Sequence, residues 1–131
     1  MTRISLEYDD QSPSNNQFGL LENLREHFPK FKVTLFTVPM EVRLGEIVPI
    51  TEPRWEPWVR AIKASEDWIQ IASHGWTHQP AEFEEASYEE ATKRLVIAEK
   101  MYENRGIKLT KIFKAPFWQL SDDARVAAHD L

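Results

Sequence analysis

The 131-residue chain has no cysteine. Disulfides and thiolate metal sites are therefore excluded, and any metal must be held by nitrogen and oxygen donors. No apolar run approaches the roughly 20 residues that cross a bilayer as a helix, so a membrane partner is not expected. A secretion signal is missing too: Met1-Thr2-Arg3-Ile4-Ser5-Leu6 reads as the entry to a strand, and the chain as it stands is expected to be cytoplasmic. There is no basic stripe. Acids and bases are interspersed around a net charge of −5, which sets nucleic-acid binding aside.

What is present is the balance of one globular domain, expected to span residues 1–131, with 42% hydrophobic and 28% charged residues. Five tryptophans and seven phenylalanines are generous for this length.

Strand-like and helix-like segments alternate along the chain. Ile4 to Tyr8 reads as a first strand, followed by a polar loop from Asp9 to Gln17. Apolar residues at 18, 20, 21, 24 and 28 suit an amphipathic helix closed by Pro29. Lys32 to Val38 is β-branched and aromatic, a second strand stopped by Pro39. Met40 to Pro53, with Gly45 and Pro49, reads as a loop, and Trp55 to Ser65 as a helix with Pro57 in its first turn. Trp68 to Ser73 is the third strand. Ser87 to Arg105 is the longest helix, opened by a capping box of Ser87 and Glu90 and stopped at Gly106. Lys111 to Ala115 is the fourth strand, and Ser121 opens a last helix running to Leu131.

Four βα units in series imply a parallel sheet, because each crossover returns the chain to the same edge. Reactive residues in such folds gather beyond the C-terminal ends of the strands. Three loaded strand ends obey that rule: Asp9-Asp10 after the first strand, His74-Gly75-Trp76-Thr77-His78 after the third, and Pro116-Phe117-Trp118 after the fourth. Placed on one ion, Asp10, His74 and His78 make a two-histidine, one-carboxylate site with open positions. That is the layout of a hydrolytic centre for an ion such as Zn²⁺. Asp9 cannot easily reach the same ion from the adjacent backbone position and is placed to accept a proton. Trp55, Trp58 and Trp68 read as core. Trp76 and Trp118, which sit inside the second and third of these strand-end clusters, are evenly balanced between packing and a role at the site. His27 and His129 fall on helices and match no motif.

Taken in order, Tyr8-Asp9-Asp10, His74-Gly75-Trp76-Thr77-His78 and Lys114-Ala115-Pro116-Phe117-Trp118 resemble the first three motifs of the polysaccharide deacetylases, the NodB-homology domains or family 4 carbohydrate esterases. The resemblance implies an α/β fold, about four βα units of a distorted (β/α) barrel with a parallel sheet. It also implies metal-dependent hydrolysis of an N-acetyl, less often O-acetyl, group on a carbohydrate. Asp9 maps to the catalytic base, and Asp10, His74 and His78 map to the ligands of one divalent ion, zinc by preference. Lys114 stands where the family has an arginine paired with the base, and it offers a point charge instead of a fork. The Phe117 N–H maps to an oxyanion donor, and Trp76 and Trp118 to the substrate cleft.

The pattern departs from the family in three ways. Gln11 stands where glycine usually follows the Asp pair, lysine replaces arginine at 114, and the family's barrel has more βα units, including one that carries a late histidine acid. His129 is no substitute for that histidine. Open sheet edges need covering, by a missing C-terminal segment of a longer enzyme (the preferred arrangement), by a second copy in a homodimer, or not at all in a minimal domain. The rival function is a carbohydrate-binding or assembly module that keeps the metal site with weak catalysis.

Overall fold

Val33–Thr37 is buried at every position, as a strand covered on both faces of a parallel sheet must be. This strand, β2, is the centre of the fold. A computed structural model describes residues 5–131 and orders the sheet as β1 (Glu7–Gln11), β2, β5 (Ile69–Ser73). Both pairings are parallel, and the register sets Gln11, Thr37 and Ser73 side by side at the C-terminal rim. The chain is an α/β protein with a parallel sheet, as the alternation of its segments implies.

One apolar cluster joins Leu21 of helix α1 (Phe18–His27), Trp55, Trp58 and Ile62 of helix α2 (Glu52–Ala64), and Leu35, Ile69 and Ile71 of the sheet. Trp68 also lies in it. Trp55 packs edge-on against both Trp58 and Tyr102, at 5.7 and 5.5 Å between ring centroids, so the three tryptophans read as core are core. A second cluster, Phe83, Ala86, Ala91, Leu95, Ala124 and Ala127, joins helices α3 (Tyr88–Glu103) and α4 (Asp122–Asp130). The Ser87 hydroxyl accepts the Glu90 N–H while the Glu90 carboxylate accepts the Ser87 N–H, a complete capping box at the start of α3. Ser121 caps α4 through the Ala124 N–H.

Four boundaries differ from the sequence reading. Ile4 lies outside the described residues, and β1 runs on through Asp9 and Asp10 to Gln11, so the Asp pair is in the strand and not in a loop after it. The ladder is irregular between Tyr8 and Gln11, and Asp10 has a φ of 57°; this bulge turns its side chain without ending the pairing. The segment read as a loop from Met40 to Pro53 holds an antiparallel hairpin, β3 (Met40–Arg43) with β4 (Glu46–Pro49). Leu44 and Gly45, both at positive φ, form its two-residue turn. Helix α2 begins at Glu52, which moves Pro57 inside the helix. The residue whose carbonyl Pro57 leaves unpaired, Pro53, is exposed, so water can satisfy it.

The fourth strand shrinks to one bridge, Phe113 with Ser73. Residues 110–114 do run beside β5, through Thr110 N–H to Ile71, Ser73 N–H to Ile112 and Lys114 N–H to Ser73. The Ile112 N–H, however, folds back onto the Thr110 carbonyl at 2.8 Å, and this three-residue turn breaks the extended run. Among the described residues, no helix is long and apolar enough to cross a membrane.

Candidate metal centre

The parallel ladder continues past the strands and carries the motifs with it. The His74 N–H donates to the Thr37 carbonyl at 3.0 Å, and the Lys114 N–H to that of Ser73 at 3.1 Å. Asp10, His74 and Lys114 therefore sit on one rim. The Asp10 Oδ1 lies 3.2 Å from His74 Nε2 and 2.8 Å from His78 Nε2. Those spacings suit neighbouring corners of a coordination sphere with bonds of about 2.0–2.2 Å.

The donor chemistry fits a divalent ion. The buried His74 ring is fixed by its Nδ1, which donates to the Lys114 carbonyl at 2.8 Å. That bond places the lone pair on Nε2, facing Asp10. All three donor atoms, one from each of Asp10, His74 and His78, lie within 4.8 Å of one another.

Beside this trio, the Lys114 ammonium donates to Asp9 Oδ1 at 2.9 Å and to Glu7 Oε2 at 2.5 Å. It also lies 4.2 Å from the centre of the Phe36 ring and 5.3 Å from that of Trp118. Burial alone would lower the lysine's pKa. The hydrogen bonds to Glu7 and Asp9, with their charges, outweigh it and raise the pKa above its ordinary value.

Backbone strain collects at the same place. Of six non-glycine residues with positive φ among the described residues, four are Asp10, His78, Phe117 and Trp118. Left-handed conformations cost such residues free energy and persist where surrounding structure imposes them. Gly75, with a φ of +87°, is needed for space as well: a Cβ there would lie 2.8 Å from Pro116 Cγ and 2.9 Å from Glu82 Oε2.

A family model described as polysaccharide deacetylase matches residues 2–131. The chain belongs to the polysaccharide deacetylase family. Solved structures similar to this family member include a family 4 carbohydrate esterase from Streptomyces lividans in complex with acetate. The match has 16% identity and a TM-score of 0.70, and covers 97% of this chain and 57% of that one. The chitin deacetylase of the fungal pathogen Colletotrichum lindemuthianum matches at 15% identity and a TM-score of 0.70, over 95% of this chain and 50% of that one. A CE4 family pseudoenzyme from Bacillus anthracis matches at 20% identity and a TM-score of 0.66, over 96% and 39%. This deacetylase-family chain thus spans little more than half the length of the first of these, and less of the others. No curated protein matches it significantly.

The structure brings Asp9, Asp10, His74, His78 and Lys114 together, with the two motif-three aromatics beside them. The Phe117 ring lies 4.8 Å from that of His78, and Trp118 is 79% exposed. Trp76 is half-buried, its indole N–H enclosed without a partner among the described residues. His27 and His129 are on the surface, in α1 and α4.

Three residues were not singled out as site members by the sequence reading. Glu7 shares Lys114 with Asp9, and its position in β1, two residues before Asp9 on the same face, was the available signal. Gln11, in the family's glycine position, is 2% exposed. It donates to the Asp9 carbonyl and accepts the Gln17 N–H, each at 3.2 Å. The third is Glu82, whose buried carboxylate accepts hydrogen bonds from the His78 loop.

Proposed function

We propose that the chain is the metal-binding part of a carbohydrate deacetylase, removing an N-acetyl (or O-acetyl) group by hydrolysis, with Asp10, His74 and His78 as ligands of one divalent ion, zinc by preference. The observation that carries this is the convergence of both imidazole Nε2 atoms on one Asp10 oxygen, with a second carboxylate held next to it by Lys114. When bound, the ion would polarise the acetyl carbonyl and acidify a water near neutral pH.

The chain's own residues supply the rest. Asp9, oriented by its bond to Lys114, takes the proton from the attacking water. The Phe117 N–H donates to the carbonyl oxygen as negative charge develops on it. The exposed Trp118 ring offers an apolar face to a sugar, and the half-buried Trp76, on the separate loop of His74 and His78, is the second aromatic of the substrate cleft. Water adds to the acyl carbon, the C–N bond breaks, and acetate and a free amine are released. Residues 1–131 act as one domain in this reading.

A silent sugar-binding module with the same metal site is the second reading. Two observations favour it. Glu7 holds Lys114 at a shorter distance than Asp9 does, and among the described residues the two histidines outside the metal trio lie on surface helices.

Acetate release from acetylated oligosaccharides, measured beside zinc-binding calorimetry, separates the two readings. Asp9→Asn should lower turnover by about 100-fold or more with zinc affinity nearly unchanged. Equal turnover in that variant would remove Asp9 from the chemistry, and sugar binding without any acetate release would establish the silent module.

A further inference from the structure

We infer that Glu82 is the positioning residue that aims His78 into the metal centre, an inference that rests on the metal reading above. Glu82 is 7% exposed. One of its carboxylate oxygens accepts the N–H groups of Trp76 and Thr77, at 2.8 and 3.0 Å, and the other accepts that of His78 at 2.9 Å. Three successive amides thus converge on one anion, the arrangement of an anion-binding nest, here filled by the protein itself. Among the described residues, no Lys, Arg or His side chain pairs with this carboxylate, so these amides are its neutralising partners.

The geometry is directed at the ligand and not only at loop stability. His78 holds a φ of 56°, a conformation that costs free energy unless something imposes it. The charge-assisted bond to its own N–H does so. Glu82 is in turn fixed from behind, because the Arg94 guanidinium of α3 donates to its backbone carbonyl. Gly75 leaves the space in which the carboxylate sits. The chain of contacts runs from α3 through Glu82 to the backbone of His78, and so to the imidazole that meets Asp10.

Glu82→Gln keeps the shape but turns one acceptor oxygen into an NH₂ donor. Either the His78 N–H or the Trp76 and Thr77 pair must then face another donor. The test compares wild type and Glu82→Gln by zinc calorimetry, by the visible absorption of the Co²⁺-loaded protein, and by metal-free thermal melts. The expected result is zinc affinity weakened about 10- to 100-fold and a shifted cobalt band in a variant that still melts cooperatively. Unchanged affinity and an unchanged band overturn the inference while leaving the metal centre standing. Failure of wild type to bind zinc overturns both. Should Glu82→Gln not fold, the amide protons of Trp76, Thr77 and His78 in metal-free wild type decide. Downfield-shifted, exchange-protected signals support the inference, and ordinary fast-exchanging loop signals reject it.

Discussion

At the residue scale, the site is organised by shared partners. Asp10 Oδ1 serves both imidazoles, Lys114 serves both Glu7 and Asp9, and the Lys114 carbonyl orients His74. Lysine at this position can divide its charge between two carboxylates because its ammonium is a compact donor of three protons, where a guanidinium would favour one carboxylate in a planar fork. The raised pKa of Lys114 has a consequence for stability. A cation whose folded pKa exceeds its unfolded value of 10.5 contributes fully below that pH, and the contribution is lost as pH rises through the still higher folded value. Urea unfolding followed from pH 9 upward should therefore show wild type losing stability faster than Lys114→Met once the pH passes about 10.5. Parallel curves for the two proteins would mean that the ion pairs add nothing to the fold.

At the element scale, α3 is the scaffold behind the loop that carries both histidines. Its N-terminus is secured by the Ser87–Glu90 capping box, its Arg94 holds the Glu82 carbonyl, and its small apolar face of Ala91, Leu95 and Ala98 is buried. Removing the cap by Ser87→Ala should cost about 1 kcal/mol, read as a lower urea midpoint with an unchanged slope. An unaltered midpoint would show that tertiary packing alone secures this end of the helix. The capping box was legible in the sequence because its residues lie three apart on one local motif. The β3–β4 hairpin was not. Its exposed Val42, Leu44 and Ile47 have no hydrophobic alternation against a core, and Pro49 and Gly45 read as breakers. The kink that reduces 110–114 to a single bridge was equally hidden, since Lys111 to Phe113 has the composition of an ordinary strand.

At the scale of the whole molecule, a metal ion would tie two distant parts of the chain, since Asp10 lies in β1 while His74 and His78 follow β5. An ion that binds only the folded form stabilises it by mass action. The gain is about 2.7 kcal/mol at a free concentration 100 times the dissociation constant. Thermal unfolding should therefore shift upward with added zinc, return on chelation, and be insensitive to zinc in the His74→Ala, His78→Ala double variant. A zinc-independent melting temperature in wild type would count against the centre itself.

The sequence by itself determined the alternation of strands and helices, the buried tryptophans, the parallel order implied by crossovers, and the residue types at three strand ends. Each is written locally, as a periodicity, a cap or a short motif. Tertiary structure alone decided that a bulge turns Asp10 within its strand and that Glu7 competes for a lysine 107 positions away. It also decided that Glu82, one of three glutamates among residues 82–85, is buried while its acidic neighbours face solvent. The physical reason is common to all three. The partners that fix these groups are backbone N–H groups and distant side chains, and a backbone amide has the same appearance in every residue of a sequence until the fold aims it.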